Sequence, residues 1–172
     1  NVNDFEVSKE GYDVYRLLSI ERKKPSVAFE LDADSSINKR IIHSDKDRFR
    51  QIIINLCYNA FKFTEKGHIC IHAQVILPEQ LSEYAYPADA PIPTDAFELL
   101  LVMVEDTGIG IPADKTQIIF EPFRKLNNNK TLYPGLGLGL NIVKNLIQLL
   151  KGQIWLTSVE NQGTTFYFYL PF

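Results

Sequence analysis

The chain has 172 residues, of which 45% are hydrophobic, and this length suits one globular domain with a hydrophobic core. The net charge of −3 argues against a polyanion-binding surface of the kind that binds nucleic acids. No apolar run approaches the ~18 residues of a membrane span. The two cysteines are interpreted as small apolar side chains in a reducing compartment. Because the sequence starts at Asn1 without an initiating methionine, we expect it to be part of a longer polypeptide.

The first predicted elements are a helix and two short strands. Apolar residues at helical spacing predict a helix from Gly11 to Lys24. Alternating residues predict a strand from Ser26 to Leu31 and another at residues 40–43. Ser44-Asp45 is the predicted N-cap of the next helix, and His43 is interpreted as a structural or surface histidine.

The helix that follows carries an unusual polar stripe. At about 100° per residue, Gln51, Asn55, Asn59 and Lys62 fall on one narrow face of a segment that is otherwise almost entirely apolar. The stripe is either the solvent face of an amphipathic helix or a ligand site. Asparagine is a poor helix former, but its amide oxygen suits a hard cation, and lysine suits phosphate. The stripe therefore favours a nucleotide with its metal. Gly67 is predicted to end this helix.

A strand and a proline-rich segment follow. His68, Cys70 and His72 share one face of the predicted strand, because strand side chains alternate. Three ligands on one strand converge poorly on a tetrahedral ion, so a metal site is not expected there. Residues 78–96 contain four prolines and scattered acidic residues, which predicts a loop insertion between two strands.

The next strand, predicted from Phe97 to Glu105, is apolar enough to be buried on both faces. The motif Asp106-Thr-Gly-Ile-Gly110 places a carboxylate at its end, followed by glycines that let a ligand approach the backbone. Taken alone, this motif also fits a tight turn. A short helix is predicted at residues 113–120, and residues 124–134 have the composition of a mobile loop.

The last part of the chain combines a glycine-rich run, a helix and a hairpin. The glycines between Gly135 and Gly139 lead into a helix predicted from Asn141 to Gly152. Free N–H groups at a helix start bind anions, although tight packing is an alternative reason for glycine. The spacing supports neither a Rossmann fingerprint nor a P-loop. Residues 153–158 and 163–170 are predicted to form a terminal hairpin.

In this order the motifs resemble those of the catalytic, ATP-binding domain of sensor histidine kinases, within the GHKL superfamily of gyrase, mismatch-repair and heat-shock chaperone ATPases. The resemblance covers nearly all of the chain. Several motifs in the family's order are far more specific than any one of them. The segments that match the N, G1, F, G2 and last glycine boxes are Asn55–Phe63, Asp106–Gly110, Phe120–Phe123, Gly135–Gly139 and Gly163–Phe166.

This resemblance implies roles for the N box and for Asp106. Asn55 would hold Mg²⁺, Asn59 would support the metal and the phosphates, and Lys62 would touch the phosphates. Phe63 would lie against the adenine ring. Asp106 would accept a hydrogen bond from the adenine amino group.

The resemblance also implies cofactor contacts in the glycine boxes and in an ATP lid. The lid would span residues 124–134, where Arg124 or Lys125 would add charge at the γ-phosphate. The glycines of the G2 box would frame the triphosphate, and the last glycine box would help to hold a loop. The implied positions outside the lid are Gly108, Gly110, Gly135, Gly137, Gly139 and Thr165.

The implied fold is the Bergerat fold, an α/β (α+β) two-layer sandwich in which a mixed, largely antiparallel sheet packs on three helices, with residues 1–172 as one domain. The implied reaction transfers the γ-phosphoryl group of Mg-ATP to a histidine on a separate upstream dimerisation domain, because none of His43, His68 and His72 has such a helical context. The implied partners are that acceptor domain and, indirectly, a response regulator. The full-length protein is expected to be a homodimer acting at the cytoplasmic face of a membrane, with no nucleic-acid partner and no direct membrane contact in this segment.

Gln51 separates the branches of this superfamily. Hydrolytic members place a glutamate one turn before the metal-binding asparagine, and glutamine at that position cannot act as a base. Phosphoryl transfer is therefore favoured over hydrolysis. The alternatives are a hydrolytic ATPase clamp and a nucleotide-binding module without catalysis.

Overall fold

Seven strands and three α-helices are present in residues 1–121 and 136–172, which are the residues that this computed structural model describes. Three short 3₁₀ helices, at Ser35–Ile37, Pro78–Tyr84 and Ala113–Lys115, lie between them. The elements in chain order are β1 Val2–Glu6, α1 Val7–Glu21, β2 Val27–Ala33, β3 Ile41–Asp45, α2 Lys46–Phe63, β4 Gly67–Ile76, β5 Leu99–Asp106, α3 Leu136–Leu149, β6 Gln153–Val159 and β7 Gly163–Pro171.

The main sheet has five strands in the order β2-β4-β5-β7-β6. The β2–β4 pair is parallel, and the other three pairs are antiparallel. This arrangement confirms the predicted mixed, largely antiparallel sheet. In addition, β1 pairs antiparallel with β3 in a separate two-stranded sheet, which the sequence did not predict.

The hydrophobic core lies between one face of the sheet and the helices, with α2 in the middle. Phe49, Ile52 and Leu56 of α2 are almost completely buried, and they belong to the same cluster as Val102 of β5 and Phe168 of β7. Because α2 also contacts both α1 and α3, it has few directions open to solvent. This explains its almost entirely apolar sequence and confirms the two-layer sandwich on three helices.

The start of α2 is as predicted, but its end is not. The Asp45 side chain accepts a hydrogen bond from the Arg48 amide at 3.2 Å and caps the helix. The helix ends at Phe63, with Thr64 as its C-cap. Gly67 instead begins β4 with φ +122°, and a Cβ there would lie 2.1 Å from the Thr107 hydroxyl. Glycine is therefore required at this position for backbone conformation and close packing, not for helix termination.

Helix boundaries differ from the sequence prediction elsewhere too. The first helix, α1, covers Val7–Glu21 rather than residues 11–24, since β1 leads directly into it. Only Ala113–Lys115, of the helix predicted at residues 113–120, forms helical structure, and it is a 3₁₀ helix followed by turns. The last helix, α3, begins at Leu136 rather than Asn141, so its first turns include part of the glycine run.

The end of α3 also uses glycine differently from the prediction. Lys151, with φ +64°, takes the left-handed conformation that follows the helix. Gly152 instead allows close approach, because a Cβ there would lie 2.0 Å from the Tyr169 carbonyl oxygen. Its own amide donates to the Ile147 carbonyl at 2.9 Å.

The segment predicted as a loop insertion, residues 78–96, covers part of the sheet face that points away from the helices. Its 3₁₀ helix buries Leu81 completely in a second apolar cluster with Leu101 and Trp155. The Trp155 indole donates to the Tyr84 carbonyl at 2.9 Å. The segment therefore has an apolar core of its own on this face. The helices in the described part of the chain include none long and apolar enough to span a membrane.

Candidate functional site

A cavity lies where the last two turns of α2 meet the end of β5 and the start of β7. Four of the predicted site residues line it: Asn59, Phe63, Asp106 and Gly110. Asn59 and Phe63 are one helical turn apart on α2 and so share a face. Asp106 is the last residue of β5, and Gly110 lies in the loop after it. Residues far apart in the sequence are thus brought together as the motifs predicted.

Three further residues line the cavity: Ile111, Thr164 and Phe166. Thr164 pairs with Asp106 across β7 and β5, and its side chain is buried. Thr165, the predicted residue, pairs with Glu105 and points to the opposite face of the sheet. The structure therefore places Thr164, and not the predicted Thr165, in the cavity wall. The alternation of β7, in which Phe166 is buried and Tyr167 is not, is the sequence signal that selects Thr164.

The Asp106 carboxylate is buried, with 8% of its surface exposed. Its Oδ1 accepts a hydrogen bond from the Gly108 amide at 2.8 Å. Burial raises the pKa of Asp106 to about 6, although hydrogen bonds from the Gly108 and Thr164 amides act in the opposite direction. No cation compensates the charge of this carboxylate within hydrogen-bond reach among the described residues. An uncompensated buried acceptor of this kind favours a ligand that donates a hydrogen bond.

The Asn59 side chain is also buried, and its Nδ2 has no hydrogen-bond partner among the described residues. Such a donor costs roughly 1–3 kcal/mol while it remains unpaired. Gly139 of α3 faces this amide, since a Cβ on Gly139 would lie 3.9 Å from Asn59 Nδ2. The start of α3 therefore approaches the central asparagine closely enough for one ligand to contact both elements.

The loop after Asp106 fits tightly between α2 and the turn that joins β6 to β7. A Cβ on Gly108 would lie 2.3 Å from the Phe63 carbonyl oxygen, and the Ile109 amide donates to that oxygen at 3.1 Å. Gly110 has φ +68°, and a Cβ there would lie 2.2 Å from the Val159 carbonyl oxygen. Both glycines are therefore required for the close packing of the loop, and the packed loop forms part of the cavity wall.

Ser158 joins the walls of the cavity and was missed by the sequence analysis. Its Oγ accepts from the Ile111 amide at 2.7 Å and donates to the Gly163 carbonyl at 3.0 Å. The same Oγ lies 2.8 Å from the Thr164 hydroxyl. A serine near the end of a strand has no distinguishing pattern, so only the fold reveals this contact.

The rest of the polar stripe on α2 extends from the cavity toward solvent. Asn55 is half-buried one turn before Asn59, and Gln51 and Lys62 are exposed. None of these three residues lines the cavity itself. The Lys62 ammonium lies 5.8 Å from the centre of the Phe63 ring. The stripe is therefore buried at Asn59 and exposed at Gln51 and Lys62. The interpretation as a ligand site describes its buried part, and the interpretation as a solvent face describes its two ends.

Some predicted positions lie outside the described residues. These are Gly135, Arg124, Lys125 and the remainder of the lid at 124–134. Gly137 is in the first turn of α3. Phe120, in the described half of the F box, packs edge-on against the cavity residue Phe166 with ring centroids 6.2 Å apart.

The histidines of β4 contact carboxylate groups on the opposite face of the sheet. His68 Nε2 lies 3.0 Å from Glu105, and His72 Nδ1 lies 3.2 Å from Asp32. Burial raises the pKa of the intervening Cys70 to about 11. Within residues 1–121 and 136–172, no group of three or more histidine, cysteine, aspartate or glutamate side chains is arranged to hold a metal ion. His43 is exposed and pairs with Asp4 at 2.7 Å, which confirms it as a surface histidine.

Comparison with known proteins identifies this architecture. Residues 44–172 match the model of the family described as histidine kinase-, DNA gyrase B-, and HSP90-like ATPase. The chain belongs to this family. The matched region contains α2, β5 and β7, and hence all of the described residues that line the cavity.

Two relatives of the chain are named as sensor kinases. The chain is 38% identical, over 92% of its length, to the autoinducer 2 sensor kinase/phosphatase LuxQ of Vibrio parahaemolyticus, and 32% identical, over 76% of its length, to the sensor histidine kinase YclK of Bacillus subtilis. It spans 17% and 24% of those two proteins, respectively. The relatives therefore contain much more chain than this domain.

Solved structures agree with the sequence relatives. The catalytic domain of the histidine kinase ThkA is similar with a TM-score of 0.72 and 27% identity, covering 99% of this chain and 95% of that one. Full-length ShkA in complex with AMPPNP is similar with a TM-score of 0.76 and 26% identity, covering 100% of this chain and 31% of that one. Together with the family match, these similarities establish the chain as the ATP-binding catalytic domain of a histidine kinase.

Proposed function

We propose that this domain transfers the γ-phosphoryl group of Mg-ATP to a histidine on a separate acceptor domain. The observation that carries the proposal is the burial, in one cavity, of the Asp106 carboxylate and of the Asn59 amide, whose Nδ2 has no partner among the described residues. Both groups are costly in an empty domain. ATP removes both costs, because its adenine has an amino group for the carboxylate and its phosphates have acceptors for the amide.

Asp106 is proposed to select adenine. An ionised carboxylate only accepts hydrogen bonds, so it pairs with the amino group of adenine but faces the carbonyl oxygen of guanine. We expect ATP to bind at least about tenfold more tightly than GTP at pH 7.5, where the carboxylate is ionised. Calorimetry with both nucleotides measures this ratio. Asp106→Asn is the matched variant, because its amide also donates and should reduce the preference. Equal affinity of the wild-type chain for ATP and GTP would remove Asp106 from this role.

The residues of α2 fit a magnesium ion that is held mainly by the nucleotide. Asn55 supplies one neutral oxygen, and Mg²⁺ commonly binds one or two protein oxygens together with phosphate oxygens and water. The ion would supply charge neutralisation at the phosphates. Asn59 is proposed to support this group through its amide, which has no partner within the described part of the chain, and Lys62 is proposed to contact the phosphates from the exposed end of the helix.

Asn55→Ala tests the metal role directly. We expect it to weaken ATP binding in the presence of Mg²⁺ and to leave the weaker, metal-free binding unchanged. Titrations with Mg²⁺ and with EDTA separate the two contributions. An unchanged Mg²⁺ dependence would show that Asn55 does not hold the metal.

Phosphoryl transfer is proposed over hydrolysis because of Gln51. This residue is exposed one turn before Asn55, and its amide cannot take a proton from water. A histidine nucleophile needs chiefly to be oriented in line with the γ-phosphate, and orientation of this kind supplies ~7–11 kcal/mol. The domain therefore needs no base of its own for transfer.

Radiolabelled ATP distinguishes the three functions left open by the sequence. We expect the domain alone to release little phosphate and to carry no label, and we expect acid-labile label on a histidine only when the upstream acceptor segment is added. Gln51→Glu is the matched variant and should increase phosphate release. Rapid release by the wild-type domain would favour a hydrolytic clamp. No label in either mixture would favour a nucleotide-binding module.

The proposal extends to the rest of the protein. We propose that residues 1–172 form one domain with residues 78–96 as an insertion, and that the acceptor domain lies upstream in the same polypeptide. A homodimer at the cytoplasmic face of a membrane, passing its phosphoryl group to a response regulator, is consistent with relatives named as sensor kinases. Mass measurement of the full-length protein tests the dimer.

A further inference from the structure

The C-terminal end of α2 is held from two sides. On one side, the Lys24 ammonium donates to the Phe61 carbonyl at 2.6 Å and to the Thr64 carbonyl at 3.2 Å. On the other side, the Ile109 amide donates to the Phe63 carbonyl at 3.1 Å. The last carbonyls of a helix lack donors within the helix, so these contacts satisfy groups that would otherwise be unpaired.

Lys24 belongs to a short segment that ties the end of α2 to the start of the sheet. The Ser26 hydroxyl donates to the Glu65 carbonyl at 2.7 Å, and the Ser26 carbonyl accepts from the Gly67 amide at 3.0 Å. Lys24 itself is half-buried, so its contacts are partly shielded from water. A cation at the C-terminus of a helix is also favoured by the helix dipole.

We propose that Lys24 is a positioning residue of the nucleotide site, and this inference rests on the function proposed above. The carbonyls of Phe61 and Phe63 flank Lys62, and the Phe63 side chain lines the cavity. Lys24 therefore fixes the turn from which both Phe63 and Lys62 extend. Since Lys24 supplies the cation at the helix end, the charge of Lys62 remains available to the phosphates.

Lys24 is not part of the family's motifs. It lies between α1 and β2, outside residues 44–172 that match the family model. Only the fold places it beneath α2, because its contacts span 37 and 40 residues of sequence. Its two hydrogen bonds go to the carbonyls of Phe61 and Thr64, neither of which lines the cavity, so its effect on the nucleotide is indirect.

The test uses this chain with Lys24→Met, Lys24→Arg and Lys23→Met. Methionine removes the charge and the donors but keeps the length of the side chain, whereas arginine restores both charge and donors. Lys23 is the exposed neighbour and serves as the control. Affinity for Mg-ATP is measured at a temperature where circular dichroism shows every variant to be folded. Hydrogen exchange of the Ile109 amide is measured without nucleotide, because its hydrogen bond to Phe63 reports the position of that turn.

We expect Lys24→Met to weaken Mg-ATP binding by about tenfold and to accelerate exchange at Ile109 by a similar factor, as loss of a hydrogen bond from a charged donor predicts. Lys24→Arg should recover most of both effects, and Lys23→Met should match the wild type. A lower melting temperature with unchanged affinity or unchanged Ile109 exchange would show that Lys24 only stabilises the fold, and would overturn the proposal. If the wild type itself fails to bind Mg-ATP, the proposed function is wrong, and the positioning role fails with it.

Discussion

Replacing Asp106 by asparagine is expected to stabilise the empty domain at neutral pH while weakening ATP binding. The carboxylate is 8% exposed and has no ion-pair partner among the described residues. Asparagine has nearly the same shape without the charge, and its amide oxygen can still accept the hydrogen bond from the Gly108 amide. The variant therefore removes the cost of burying a charge, and it leaves one acceptor oxygen for the Gly108 and Thr164 amides in place of two.

The pKa of Asp106 determines the size and the sign of this effect. Burial raises it from 3.8 to about 6, so between these values the folded state binds the proton more tightly than the unfolded state does. Stability is then lost as the pH rises through this window and is constant above it. A shift of this size corresponds to about 3 kcal/mol, of which about 2 kcal/mol falls between pH 4.5 and pH 7.5.

Urea unfolding of both proteins at pH 4.5 and pH 7.5 tests the reasoning. The free energy of unfolding of Asp106→Asn, relative to wild type, should increase by about 2 kcal/mol between the two pH values. Asp45→Asn is the control, because the hydrogen bond from the Arg48 amide lowers the pKa of Asp45 below 3.8, so its stabilisation is lost only at more acidic pH and its difference from wild type should change little between pH 4.5 and pH 7.5. The same difference between wild type and Asp106→Asn at both pH values would refute the claim that burial of this charge costs stability.

Four further substitutions, one of them a control, test the packing. Thr64→Val should be neutral or stabilising by about 1 kcal/mol in urea unfolding, because the buried Thr64 hydroxyl has no partner among the described residues. Leu81→Ala should lower the free energy of unfolding by about 2–4 kcal/mol without changing ATP affinity, whereas Leu77→Ala, at a site 41% exposed, should have a much smaller effect. Gly11→Ala should raise the melting temperature, with a gain of about 0.5–1 kcal/mol, because Gly11 is inside α1 and an added Cβ meets no atom within 4 Å.

The sequence alone determined which helix faces are apolar and where the chemistry-bearing residues lie. The stripe on α2 located Asn59 and Phe63, and the motif that starts at Asp106 located the carboxylate and Gly110, all of which line one cavity. This succeeded because the period of a helix or strand is a local property, readable from residue spacing. The same rule applied to β7 would have selected Thr164.

The tertiary structure decided the contacts between distant segments and the burial that gives them their energies. Lys24 reaches the end of α2, Ser158 joins two walls of the cavity, and β1 pairs with β3, although no local pattern marks any of these contacts. The raised pKa of Asp106 likewise results from the water excluded by several elements together. Local spacing specifies which side of an element is apolar, but a hydrogen-bond partner or a desolvated charge depends on which other element covers that side, and only the packed fold determines that.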